Sequence, residues 1–194
     1  MSVNTQTATR ASARERLLAA ADELFYQGGV HTVGIDRVIE RAGVAKASLY
    51  SIFGSKDELI RSYLTARHEA RKQRIARGLA RYDTPRGRLL GVFDVLGEAI
   101  AEPGFRGCAF ANASAEARPG SAAVQVSDES RAWMRSLFAD LARAAGAADP
   151  EWLARQLMLL YDGASVAAKM DRDPAAAAKA RAAAATLLDA ATGR

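Results

Sequence analysis

Residues 32–56 read TVGIDRVIERAGVAKASLYSIFGSK, and the fold turns on how this stretch is read. Ile35, Val38, Ile39 and Ala42 recur at the three-and-four spacing of one helix face, and the pattern stops at Gly43. A second short helix is expected from about Lys46 to Ile52, with Gly54 closing it. The tight turn Ala42-Gly43-Val44 between them gives the form of a helix-turn-helix, whose second helix lies in the major groove of DNA. Leu49 and Phe53, four apart, face inward, whereas Lys46, Ala47, Tyr50 and Ser51 share the opposite side. Ala47 and Ser48 are small enough for close approach to bases. Lys46 suits guanine O6 or N7, and Ser48 or Ser51 suits a base or a phosphate. Tyr50 and Lys56 suit phosphates that hold the helix in register. The same residues also allow a plainer reading, a helical hairpin inside an ordinary bundle with Tyr50 buried.

Working outward, nearly every segment reads as helix. Ser12-Ala-Arg-Glu15 has the form of a capping box and opens a helix carrying Leu17, Leu18, Ala21, Leu24 and Phe25, which ends at Gly28-Gly29. Ser55-Lys-Asp-Glu58 is a second such box, opening a long helix to about Arg81. Thr84-Pro85, Asp149-Pro150 and Asp173-Pro174 each place a capping side chain before a proline, so helices are expected to start near 85, 150 and 174. A short helix around Cys108–Ala117 and a longer one around Ala122–Ala145 lie between. Residues 1–9 read as a disordered tail. The expectation is an all-α chain of about nine helices. Three form a helix-turn-helix domain over 10–56, and a long helix leads into a larger bundle over 57–194.

The composition agrees. Apolar residues are 49% of the 194, and 15 Gly and 5 Pro are too few for a loop-rich β fold. The single Cys108 excludes an internal disulfide framework. The polar start MSVNTQTATRAS carries no apolar export stretch, so a cytoplasmic protein is expected. No run approaches the ~18 apolar residues of a membrane span. Net charge is +5, and residues 1–82 carry 14 Lys and Arg against 8 Asp and Glu. That part is the candidate for meeting a polyanion, although a basic face also serves solubility.

The run Ala42-Gly-Val-Ala-Lys-Ala-Ser-Leu-Tyr-Ser-Ile-Phe-Gly-Ser-Lys-Asp-Glu-Leu59 resembles the tetracycline-repressor-like (TetR) regulators without a gap, and the resemblance covers about residues 12–64. Gly34-Ile-Asp-Arg37 resembles one branch of that family. Gly107-Cys108-Ala-Phe110-Ala-Asn112, followed by Glu116, is similar to a core-helix motif in some members. Three positions depart from the pattern. Ala45 stands where a Ser or Thr cap is usual, and Ile52 where an aromatic or His phosphate contact is common. Val33 replaces a helix-capping Thr, with Thr32 the nearest substitute and counted among the DNA-contacting residues. The resemblance implies a homodimer on palindromic operator DNA, in most cases a repressor released by a small ligand. It also implies that the last two long helices make the dimer interface. Gly163, Ala164, Ala167 and Ala168 on one helix, and Leu187 and Leu188 on the last, are the candidates. The alternative is that these faces pack inside the monomer.

A two-unit regulator of this kind needs a use for its second unit. Phe93, Phe105, Phe110, Trp133, Met134, Phe138 and Tyr161 are bulky candidates to line a cavity, with Cys108 and Asn112 as polar groups. Plain core packing is the competing reading, and Asn112 can simply bond a helix carbonyl. The effector expected is apolar or aromatic, with no metal and no cofactor. Two histidines, His31 and His68, and one cysteine give no zinc pattern, and no phosphate-cradling loop or nucleophile elbow occurs, so no enzyme is expected. A sequence-blind DNA-packaging protein fits poorly. Residues 83–194 carry 13 basic against 14 acidic residues, whereas such proteins spread basic surface widely.

Overall fold

Ser12 starts the first helix by both halves of a capping box. Its Oγ accepts from the Glu15 N–H at 3.2 Å, and the Glu15 carboxylate accepts from the Ser12 N–H at 2.7 Å. Helix α1 (Ala13–Gly28) follows, then α2 (Ile35–Ala42), α3 (Lys46–Phe53) and α4 (Lys56–Leu79). After these come α5 (Pro85–Ala101), α6 (Ala109–Ser114), α7 (Ala122–Ala144), α8 (Pro150–Met170) and α9 (Ala176–Thr192). The computed structural model describes residues 11–115 and 117–193. Among them the secondary structure is all helix. The expectations for the 1–9 tail and for Glu116 lie outside the described residues.

The chain divides into two compact units, one through Tyr63 and one from Leu64. In the first, α1 packs on α2 and α3 through Leu17, Ala21, Phe25, Val38, Leu49 and Phe53. The Phe25 and Tyr63 rings meet edge to face at 5.6 Å. Gly43 takes φ +61, a left-handed turn that an L side chain resists, and this re-aims the chain from α2 into α3. Arg16 reaches from α1 to that turn, donating to the Ala42 carbonyl at 3.2 Å and the Gly43 carbonyl at 3.0 Å.

In the second unit α5, α7, α8 and α9 enclose a core that includes Phe93, Met134, Phe138, Leu153 and Leu157. Two proline starts behave as expected: Thr84 Oγ1 accepts from the Gly87 N–H, and the Asp149 carboxylate from the Trp152 N–H. The third does not open its helix at 174. Asp173 Oδ1 accepts from the Ala175 N–H in a turn, and α9 begins at Ala176 with Ala175 as an uncapped start. Tyr82 lies flat on Gly91, where a Cβ would fall 2.5 Å from the ring. Its hydroxyl donates to Asp94 at 2.7 Å, and Arg181 of α9 donates to the same carboxylate at 3.0 Å. Arg86 clamps Asp189 with two bonds, at 3.1 and 2.9 Å. These pairs fasten α9 to α5.

Candidate functional site

The solvent face of α3 is the first candidate. Lys46, Ala47, Tyr50 and Ser51 are exposed, and Ser48 is half-buried, while Leu49 and Phe53 anchor the helix from below. Tyr50 is 45% exposed, so the buried-tyrosine alternative is excluded. Lys46 Nζ lies 3.0 Å from Asp36 on α2, and that hydrogen bond, helped by the opposite charge, holds the ammonium above the ordinary lysine range. Both partners are well exposed, so solvent screens the ion pair and it does not keep Lys46 from another acceptor. Lys56 is half-buried at the start of α4, and burial lowers its pKa. Ser55 Oγ accepts from the Glu58 N–H at 3.1 Å, so this helix start is capped internally. Thr32 is exposed but caps nothing: the residue before α2 is Gly34, with no side-chain bond. Ala45 likewise leaves the start of α3 without a side-chain cap.

The second candidate is a cavity of about 400 Å³ in the second unit, among α4, α6, α7 and α8. Cys108, Phe110, Asn112 and Tyr161 line it, as the sequence suggests. Phe93, Met134 and Phe138 do not. They are fully buried in the core, with Phe93 and Phe138 rings 5.8 Å apart. Trp133 packs its ring 5.6 Å from His68, and Phe105 is half-buried in the loop before α6; neither lines the cavity. Asn112 is committed at both ends of its amide. It donates to the Arg106 carbonyl at 2.9 Å and accepts from Lys169 Nζ at 2.8 Å. The stem of Lys169 passes so close to Gly107 that a Cβ there would lie 2.9 Å from it.

Arg71 and Ser130 are among the wall residues that the sequence pattern did not reveal. Arg71 of α4 donates through Nη2 to the carbonyl and the hydroxyl of Ser130. Its guanidinium sits 4.6 Å over the Phe110 ring. The Ser130 hydroxyl also lies 3.0 Å from His68 Nδ1, so Ser130 joins Arg71 and His68 in one hydrogen-bonded group. Burial, with Arg71 and Lys72 nearby, lowers the pKa of His68.

The family model described as bacterial regulatory proteins, tetR family, matches residues 17–63. The one described as tetracyclin repressor-like, C-terminal domain, matches residues 85–184. A TetR-family transcriptional regulator from Streptomyces coelicolor superposes with TM-score 0.85 at 32% identity, over 93% of this chain and 96% of that one. The chain belongs to the TetR family of transcriptional regulators. A second TetR-type regulator structure, from Streptomyces avermitilis, gives TM-score 0.82 at 37% identity over 93% and 98% of the two chains. The transcriptional activator FasR of Mycolicibacterium smegmatis is 50% identical over 46 residues, which is 24% of this chain and about a fifth of that relative.

As a TetR-family regulator the protein binds DNA through its helix-turn-helix, and dimers and ligand response are typical of the family. The family's reading unit is at residues 17–63 here, around α3. No helix of the described residues is long and apolar enough to cross a membrane. The residues expected at the dimer interface divide. Ala164 and Leu188 are buried in the unit's own core, Ala167, Ala168 and Leu187 pack partly against it, and Gly163 is exposed. The outward apolar stripe of α8 is a different one: Trp152 at 58% exposure, Leu159 at 70%, Val166 at 53% and Met170 at 73%. Trp152, Leu159 and Val166 stand seven apart and Met170 four further on, a one-face spacing that the sequence carries beside the small residues.

Proposed function

We propose that this TetR-family regulator acts as a homodimeric repressor in the cytoplasm, bound to a palindromic operator and released by a small ligand. The observation that carries this reading is the solvent face of α3, which offers a lysine, two serines, an alanine and a tyrosine over a buried Leu49–Phe53 anchor. Lys46, Ala47, Ser48 and Ser51 meet base edges. Tyr50, Lys56 and Thr32 meet phosphates. The dimer forms across α8 and α9, where the α8 stripe leaves large apolar side chains in water. The effector occupies the 400 Å³ cavity. Helix α4 supplies Lys56 to one unit and Arg71 to the other, so occupancy of the cavity changes how the recognition helices are presented.

Genomic pull-down with the purified chain, followed by footprinting, tests the reading. It should recover a pseudo-palindrome with half-sites about one helical turn, or a multiple, apart. Equal protection of all fragments would contradict it. Activation is the second reading, favoured by the name of the M. smegmatis relative, whose match spans 46 residues. A promoter reporter with and without the gene separates the two.

A further inference from the structure

We infer that the cavity among α4, α6, α7 and α8 is built for a ligand bearing a single carboxylate on an apolar or aromatic body, with Arg71 as the group that takes the carboxylate. The inference rests on the reading that this cavity is the effector site.

Arg71 faces the cavity, and among the described residues no carboxylate is in ion-pair range of it. Its Nη2 is spent on Ser130 and its Nε has no acceptor, although the atom is shut off from solvent. A half-buried guanidinium satisfied on one side only is costly to keep, and an anion relieves that cost. Neutral partners hold the group in place: Ser130 on one edge and the Phe110 face beneath it. It is therefore positioned and charged, but not neutralised. The other charges of the wall fit a monoanion. Asp162 is engaged by Arg131 at 2.7 Å. Lys169 donates to the neutral amide of Asn112, and among the described residues its charge also lacks an acid. Asp128, exposed on α7, is the one carboxylate left over among the described wall residues, and it opposes a second negative charge on the ligand. Among the described residues the wall carries three cations against two acids, an excess of one.

The remaining wall says what the carboxylate is attached to. Phe110 and Met158 give an apolar lining, and Val166 and Met170 of the exposed α8 stripe stand at its mouth, so two flexible thioethers can adapt to ring or chain. Tyr161 adds a phenol, and desolvation raises its pKa, so it stays a donor at neutral pH. Carboxylate on Arg71, apolar body along Phe110 and the methionines, and one acceptor near Tyr161 define the ligand class.

The test is calorimetric titration of the full-length protein with trans-cinnamate and, separately, trans-cinnamamide, which share shape and differ in charge. The acid should bind about 10- to 100-fold more tightly than the amide, the range of a hydrogen bond to a charged group. Arg71→Gln should erase that preference, and Arg71→Lys should keep part of it. Should Arg71→Gln fail to fold, the wild-type ratio and Arg71→Lys still decide. Equal binding of acid and amide would overturn the inference while leaving the cavity as an effector site. Binding of neither at millimolar concentration would overturn the inference and the effector reading together. An acid preference that survives Arg71→Gln would overturn the role given to Arg71.

Discussion

Arg16 shows how much of a recognition unit depends on a residue that need not touch DNA. One guanidinium holds two carbonyls of the turn between α2 and α3, and those bonds span 26 and 27 residues of chain. Arg16→Met should therefore destabilise the first unit by about 1.5–3 kcal/mol, read from urea midpoints, because two charge-assisted bonds are lost. An unchanged midpoint would show the turn to be held by Gly43 alone. Phe138 makes the opposite case. It was a candidate cavity residue, yet it is fully buried beside Phe93 and Tyr161. Phe138→Ala should cost about 3–5 kcal/mol of stability, the penalty of a hole in a packed core. A loss under 1 kcal/mol would return it to the cavity wall. His68 carries a pH signature. Burial, Arg71 and Lys72 lower its pKa, while Glu69 and Glu129 act more weakly the other way. Between that lowered value and the ordinary 6.5, the unfolded chain binds the proton and the folded one does not. Stability is thus full above that range and falls as pH drops through 6.5 toward the folded value. Thermal midpoints from pH 8 to 5 should fall more steeply in the wild type than in His68→Gln, and parallel curves would contradict the placement. Leu49 and Phe53 were legible in the sequence because a helix has only one inward face. The cavity was not, since aromatic residues at helical spacing line cores and cavities alike. Arg71 was missed because its partner Ser130 lies 59 residues away and no local pattern joins them.

At the scale of elements, start and stop signals served well where the chemistry is local. Ser12, Thr84 and Asp149 each cap the helix they were expected to open. Asp173-Pro174 carries the same signal but is drawn into a turn, with Lys179 on the Asp173 carboxylate at 2.8 Å, so α9 starts later. Helix α8 carries the main lesson. Its small residues suggested a close-packed interface, yet Ala164 turns into the unit's own core and Leu159 turns outward. Asp at Ala164 would unfold the protomer, because a charge would be buried without a partner. Leu159→Glu should instead leave the fold intact and convert the dimer to monomer in sedimentation at micromolar concentration, with DNA affinity falling accordingly. A Leu159→Glu dimer as stable as the wild type would remove the α8 stripe from the interface.

Across the whole molecule, the basic excess of residues 1–82 lies mostly outside the unit that reads DNA. Residues 1–63 hold eight basic and seven acidic side chains, so the unit that reads DNA is close to neutral. Within 1–82 the excess lies mainly on residues 64–82, with six basic residues against Glu69, and Arg71 of the cavity is among them. Net charge pointed to the right half of the chain but not to the right surface. Affinity for DNA must then come from a few placed groups, and each should be visible by itself. Lys56→Gln should weaken binding to all sequences alike and reduce the slope of log affinity against log salt by about 1. Selection from random duplex DNA by the wild type and by Lys46→Ala, side by side, reads out whether the face of α3 meets the bases. The wild type should enrich an inverted repeat, and Lys46→Ala should relax the preference at one position of each half-site, worth about 1–3 kcal/mol. No enriched motif for the wild type, or identical motifs for both proteins, would contradict that reading of α3.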